Sequence, residues 1–425
     1  MTLLVIFGAL LLLLFSGLPV AFALAALGTL MLLVEGLPLV MVAQSLHGSL
    51  DNFVLLSVPL FLLMSNFLLK GGVGRDLFAA VQSWVGHWPG GLGIAALLSC
   101  GMFSAISGSS VATAATVGTV AIPEMTQRGY SKSFTLGLLA AGGTLGILIP
   151  PSIPLIVYGV IVEESIGKLF MAGIGPGLLL LLLFCVYAAL YAKFTSAHRP
   201  TPRATREERR RASWRALPPT LLAIIMIGGI YSGAFTPTEA SAVGAVLAFL
   251  LTAFILRTLS WKSFLEAVRQ TLSTTVVLFL VIIGAKIFGR AVTLYQVPFM
   301  ISQLVDTHLE SVAMFLLVVA LILLFIGLFL ESLSMLLIMV PILIPSVMAL
   351  GIDPIWFGIY FVILIEIALI SPPVGLNLFV IQAVAKTNLG TVIRGVTPFI
   401  AIMLLSVIIL VLIPSIVLYI PLELN

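Results

Sequence analysis

The sequence predicts an all-α polytopic membrane protein made of two inverted-topology repeats, each holding a re-entrant helical hairpin and a proline-broken transmembrane helix. Three observations predict it. The 425 residues are 61% hydrophobic and 8% charged, with a mean hydropathy of +1.26, well beyond what a soluble core requires. Segments 123–176 and 345–398 each hold five prolines, and four of them (Pro123, Pro150, Pro151 and Pro176 against Pro345, Pro372, Pro373 and Pro398) coincide at an offset of 222 residues. Eight of the 20 basic residues, from Lys193 to Arg215, crowd into one polar stretch that divides the chain into near-equal halves. Such a stretch is expected on the cytoplasmic side.

The elements follow in order. Residues 1–192 form the first repeat, 193–216 the basic linker and 217–425 the second repeat. Apolar runs long enough for the roughly 20 residues of a crossing predict five crossings in the first repeat, over 2–16, 18–35, 52–70, 131–162 and 168–192. The second has 218–234, 237–256, 272–289, 355–386 and 394–420. An odd number per repeat inverts the second repeat relative to the first. Outward from a cytoplasmic linker, Lys70, Arg75, Arg128, Lys132, Arg257, Lys262, Arg269, Lys386 and Arg394 all lie inside, while 36–50 and 346–354 carry neither Lys nor Arg and lie outside. Both termini are then periplasmic if Gly17-Leu18-Pro19 separates two helices; a single kinked helix over 2–34 reverses the N-terminus. The remaining apolar segments, about 92–122 and 312–345, start and end on one side and are therefore hairpins. Amphipathic stretches at 70–90 and 257–270 are expected to lie in the interface as arms. Trp84, Trp88, Trp214 and Trp261 sit near the same boundaries as anchors.

Chemistry concentrates where the helices break. The first hairpin reads GMFSAISGSSVATAATVGT, and its small residues and hydroxyls place the tip at Ser107 to Ser110. Proline lacks an N–H and clashes with the preceding turn, so Pro150-Pro151 and Pro372-Pro373 each end one half-helix and open the next. Carbonyls left free at such breaks suit Na⁺, and the following helix N-termini suit a carboxylate. Thr144, Ser152, Ser371 and Asn377 lie at the breaks, and the carboxyls Glu331 and Glu366 are costly within the apolar second half-site. The duller readings are a small-residue packing helix, a structural proline kink, and carboxyls that satisfy tip N–H groups. Thr236 and Glu239 fit a structural capping box, with Pro237 at the first helical position.

Other function classes receive little support. No GxxxxGK[ST] loop is present, and His47, His87, His198 and His308 stand in loops or near boundaries, which leaves the tip serines without a base. Cys100 and Cys185 suggest neither a disulfide scaffold nor a metal cluster. The formal charge of +4 calls for no nucleic-acid partner. Residues 2–15 lack the basic region and cleavage site of a signal peptide. A channel remains open as an alternative, as does a stand-alone divalent-anion symporter.

The motifs SGSS-x-ATAA-x-VG, GGTLGILIPPSIPLIVYG, FTPTEASAVGA, the FLES hairpin and SPPVGLNLFV resemble the large membrane subunit, of DctM type, of the tripartite ATP-independent periplasmic (TRAP) transporters. The resemblance spans nearly the whole chain. It implies a sodium-coupled elevator-type importer of a small organic anion, with Na⁺ as coupling ion and no organic cofactor. Its implied partners are a secreted periplasmic binding protein (DctP type), a small four-helix membrane subunit (DctQ type) on a separate chain, a carboxylate substrate and the lipid bilayer of the bacterial inner membrane. Carried over residue by residue, the first Na⁺ site uses Ser107, Ser110, Gly146, Ile149 and Pro151. The second lies near Leu328, Glu331, Ala368, Ser371 and Pro373. Substrate is expected near Ser109, Thr144, Ser152, Ser332 and Asn377.

Overall fold

A computed structural model describes residues 2–195, 201–308 and 311–423, and all regular structure among them is helical. By length and composition, eight helical segments among these residues can cross a bilayer. Their outer faces agree with that solvent. Leu178, Leu182, Val186 and Leu190 repeat every four residues on one helix and are each about half exposed, an apolar stripe that only lipid makes favourable.

The first repeat starts with α1 (Thr2–Phe15) and α2 (Val20–Val34), so Gly17-Leu18-Pro19 separates two helices. Gly17 takes the left-handed conformation (φ +84°) and Pro19 stands just ahead of α2, where its ring is tolerated. Residues 36–50, expected to be an outer loop, contain α3 (Val40–Leu50). Then come α4 (Ser57–Lys70) and the arm α5 (Val73–Val85), whose Val73, Leu77 and Phe78 are buried. The first hairpin is α6 (Gly91–Ser107) with α7 (Ser110–Gln127). The first broken helix is α8 (Lys132–Leu148) with α9 (Ile153–Val162), and α10 (Ile166–Phe194) closes the repeat.

In the second repeat, α11 (Arg206–Tyr231) begins well inside the linker that was read as a loop. The Thr205 hydroxyl accepts from the Glu208 N–H while the Glu208 carboxylate accepts from the Thr205 N–H at 2.7 Å. This capping box starts a helix in arginine-rich sequence of good intrinsic propensity. Arg199 and His198 lie outside the described residues. Next is α12 (Pro237–Leu250), extended by one π-turn over Leu251–Ile255. The arm 257–270 and the crossing 272–289 prove to be parts of one helix, α13 (Trp261–Leu294). It is followed by α14 (Val297–His308). The second hairpin is α15 (Val312–Ile326) with α16 (Ser332–Ala349), and the second broken helix is α17 (Pro354–Leu369) with α18 (Leu376–Ala385). The last crossing splits at Pro414 into α19 (Leu389–Leu412) and α20 (Ser415–Glu423).

Shifted by 222 residues, α5 falls on α14 and α3 falls on the first third of α13. The repeat partner of the arm 70–90 is thus α14. The two repeats interlock in space. A central body places α6 and α7 against α8, α18 against α7, α19 against α8, α16 against α9 and α15 against α17. A frame of α2, α4, α12 and α13 packs beside it, with α11 joined through α5. The α8–α19 crossing has no room for side chains, because a methyl on Gly137 would strike the Gly395 carbonyl.

Charged groups fix which ends coincide. Lys70, at the end of α4, meets Glu266 near the start of α13 at 3.0 Å. The Arg209 guanidinium lies 5.2 Å from the Trp84 ring centroid, and the Trp84 indole N–H donates to the Ser213 hydroxyl at 3.1 Å. The arm α5, the basic start of α11 and the first turns of α13 therefore share one end of the molecule.

Candidate ion and solute site

The first hairpin turns within two residues. Ser107 ends α6, Gly108 takes φ +60°, and Ser109 is extended, so that its hydroxyl accepts from the Ala112 N–H at 3.4 Å and caps α7. This tip sits on the break of the first broken helix. A methyl on Gly108 would lie 2.5 Å from the Pro151 carbonyl oxygen, and one on Gly146 would lie 2.6 Å from the Ser109 carbonyl oxygen. Four residues carried over for the first site, Ser107, Ser110, Gly146 and Pro151, are thereby brought together, with Ile149 beside them as the extended residue after α8.

Backbone chemistry at this break follows from the sequence. In an uninterrupted helix the carbonyls of Gly146 and Ile147 would accept from residues 150 and 151. Both are proline and donate nothing, so these oxygens lose their usual helical donors. Ser107 and Thr113 add two buried hydroxyls 2.8 Å apart. Hard, neutral oxygens of this kind fit a monovalent cation such as Na⁺, whereas no cluster of three His, Cys, Asp or Glu side chains occurs among the described residues.

The second half-site is built similarly. Gly327, just before the tip, abuts the Ala368 side chain. Leu369 loses its usual donor to Pro373 in the same way. The Ala368 carbonyl accepts from the Ser371 N–H at 3.0 Å, and the Ser371 carbonyl accepts from the Gly375 N–H at 3.2 Å. Each keeps a second lone pair for another ligand. Both double prolines are cis between the two rings. Glu331 is the residue preceding α16, yet its side chain does not cap that helix; it accepts from the Ser334 hydroxyl at 3.2 Å. Satisfying the tip N–H groups is therefore not its role.

A cavity of about 520 Å³ opens at this second tip, walled by Leu328, Glu331, Leu369 and Gly375 and by Val20 and Val281 of the frame. None of the residues expected near substrate is among those that line it. Asn377 is fully buried and neither its amide oxygen nor its nitrogen has a partner, while Ser332 follows Glu331 directly at the start of α16. Ser109 and Ser152 spend their hydroxyls on helix caps. Thr144 is buried and donates to the Ala141 carbonyl of its own helix at 2.6 Å, so it faces its own turn.

Glu366, weighed from the sequence as a costly intramembrane carboxyl, is wholly buried and neither of its oxygens has a hydrogen-bond partner. Ser110 of the first hairpin is its polar neighbour, so this side chain lies where the two half-sites meet. Buried polar groups are nearly always paired; Glu366 and Asn377 are among the buried side chains whose polar atoms have no hydrogen-bond partner. By contrast, Thr236 and Glu239 are a closed structural cap. Glu239 accepts from the Thr236 N–H at 2.9 Å and donates its own N–H to the Thr236 hydroxyl at 3.3 Å.

Comparison with known proteins identifies the family. Residues 7–416 match the family model of the tripartite ATP-independent periplasmic transporter, DctM component. The chain is 43% identical over 379 residues to the C4-dicarboxylate TRAP transporter large permease protein DctM of Pseudomonas aeruginosa, covering 89% of this chain and 88% of that one. It is 38% identical to the isethionate TRAP transporter permease protein DctMQ of Oleidesulfovibrio alaskensis, where the match covers 97% of this chain and 65% of the longer relative. Among solved structures, the YdaH transporter of Alcanivorax borkumensis superposes with a TM-score of 0.63 over 88% of this chain and 87% of that one, at 15% identity, a likeness of fold. The chain is a multi-pass membrane transport protein, not an enzyme, and it belongs to the DctM family of large permease components of the TRAP transporters.

Proposed function

We propose that this protein is the solute-translocating subunit of a sodium-coupled importer for a small organic anion, a carboxylate, in the bacterial inner membrane. One observation carries the reading: the double prolines deprive carbonyls of their usual helical donors at two breaks, and each break is faced by a hairpin tip from the same repeat. The body that holds the hairpins and broken helices moves against the frame as an elevator. A periplasmic binding protein delivers the solute, and a small four-helix membrane subunit stands beside the frame. Basic residues gathered around Lys70, Arg209 and Arg215 give that end of the molecule a cytoplasmic place. The residues that form the two Na⁺ sites are Ser107, Ser110, Gly146, Ile149 and Pro151, and Leu328, Glu331, Ala368, Ser371 and Pro373.

The test is uptake by the three components reconstituted in vesicles. An inward Na⁺ gradient should drive accumulation of a carboxylate, and removal of the binding protein should abolish it. Full uptake driven by a proton gradient in Na⁺-free buffer would overturn the ion assignment. Full uptake without the binding protein would identify a stand-alone symporter instead.

A further inference from the structure

A cavity of about 420 Å³ lies away from both hairpin tips, between the frame and the central body. Lys286 and Arg290 of α13 line it beside Gln44 and Ser45 of α3, and Leu337 and Pro341 of α16 form the opposing wall. None of its lining residues is acidic. Neither cation makes an ion pair or hydrogen bond with a described residue, and the only ion pair among those residues is Lys70 with Glu266.

Two like charges one helical turn apart repel each other, and the pair costs stability unless something neutralises it. The expense is greater on a membrane-spanning helix, where an ionisable side chain usually marks a solute or ion path. The position along the helix is informative too. Lys286 lies 25 residues beyond Trp261, about 38 Å along the axis at 1.5 Å per residue. It therefore sits at the end opposite the Lys70–Glu266 pair and the basic start of α11. Leu337 and Pro341 lie only about 8–14 Å along α16 from the second hairpin tip, within the reach of a sliding movement of that hairpin past α13.

We propose that Lys286 and Arg290 form an oxyanion site, fixed to the frame on the periplasmic side, which receives the carboxylate or sulfonate group of the solute next to the second hairpin. The inference rests on the import reading above. A guanidinium offers two parallel donors to a carboxylate and an ammonium adds a point charge, so the pair recognises the anionic group and leaves the remainder of the solute to the hairpin tips. Anionic lipid headgroups present the same oxyanion chemistry, because long cationic side chains near helix ends reach toward phosphate. Both side chains are exposed, and the wall contributed by α16 favours the solute, since it sets the pair at the boundary between the fixed and moving parts.

The test uses the reconstituted complex, with succinate and isethionate screened first and the anion of larger wild-type uptake taken as probe. K286Q/R290Q should raise the KM for that probe at least tenfold and leave the Na⁺ concentration for half-maximal uptake within twofold; K286R/R290K should restore the KM. In a second arm, a cysteine replaces Thr293, which lines the same cavity, after Cys100 and Cys185 have been replaced. The probe should slow its reaction with an impermeant thiol reagent in the otherwise wild-type protein but not in K286Q/R290Q, in vesicles of phosphatidylcholine alone as well as with phosphatidylglycerol. An unchanged KM together with undiminished protection in K286Q/R290Q would overturn the proposal. An effect confined to phosphatidylglycerol vesicles would also overturn it and assign the pair to lipid. The labelling arm needs no transport, so protection that depends on the pair in a complex that carries neither anion would leave this site standing and remove the import reading.

Discussion

Replacing Gly108 by alanine should uncouple the first hairpin from its broken helix, and the size of the effect can be worked from two terms. The backbone there has φ +60°, which costs a residue with a Cβ roughly 1–2 kcal/mol. The new methyl would also stand 2.5 Å from the Pro151 carbonyl oxygen. That neighbour is backbone and cannot swing aside, so tip and break must separate, an overpacking cost of about 1–3 kcal/mol. Gly351 separates the two terms. It has φ +68° and open space around its missing Cβ, so Gly351→Ala meets the conformational cost alone. The second term corresponds to roughly a 5- to 150-fold shift in any equilibrium that needs the tip docked. Initial rates of Na⁺-driven uptake in vesicles, normalised to inserted protein, should therefore fall at least fivefold further in Gly108→Ala than in Gly351→Ala. Equal rates for the two variants would refute the argument that the docked tip and the Pro151 carbonyl form one functional unit.

Three further outcomes are expected. Ser107→Pro should abolish uptake by changing the backbone at the tip, whereas Ser107→Ala removes a hydroxyl bonded to Thr113 at 2.8 Å and, more weakly, to the Ser109 backbone and should retain a measurable Na⁺-dependent rate; equal loss in both would move the ligand from carbonyl to hydroxyl. Glu239→Gln keeps the cap of α12 and should retain most transport, and Thr236→Ala should lower stability by about 1 kcal/mol, read from thermal unfolding of the purified protein; a folded but inactive Glu239→Gln would place that residue in coupling. Asn377→Leu, which removes a buried amide without partners, should leave thermal stability unchanged or raised while weakening solute affinity at least tenfold; a large loss of stability would mean that the amide has a structural role.

The repeat, both hairpins and both breaks were legible because proline and glycine act on the backbone locally, whatever surrounds them. Pro150-Pro151 must free the Gly146 and Ile147 carbonyls in any context. The boundaries that sequence missed are those where the solvent changes and the backbone does not. Arg269 and Gln270 are good helix formers, so α13 runs uninterrupted from the expected arm into the crossing, although hydropathy divides them. Thr205 to Glu208 carries the same capping signal as Thr236 to Glu239, but no apolar run follows it closely, which hid the start of α11 inside a charged stretch. Distances between repeats were not legible at all. Only the folded chain places Glu366 of the second repeat beside Ser110 of the first, or Lys286 and Arg290 opposite α16.

The central claim, that the hairpins and broken helices form one body that carries the solute site from one face of the membrane to the other, is tested most directly at Ser109. With Cys100 and Cys185 replaced, a cysteine at position 109 should react with an impermeant thiol reagent from the periplasmic or the cytoplasmic side according to which combination of Na⁺ and solute is present. A cysteine at Arg209, beside Trp84 at the basic end, should react from the cytoplasm alone under every condition. Labelling of position 109 from a single side in all ligand states, with position 209 behaving as expected, would contradict the account.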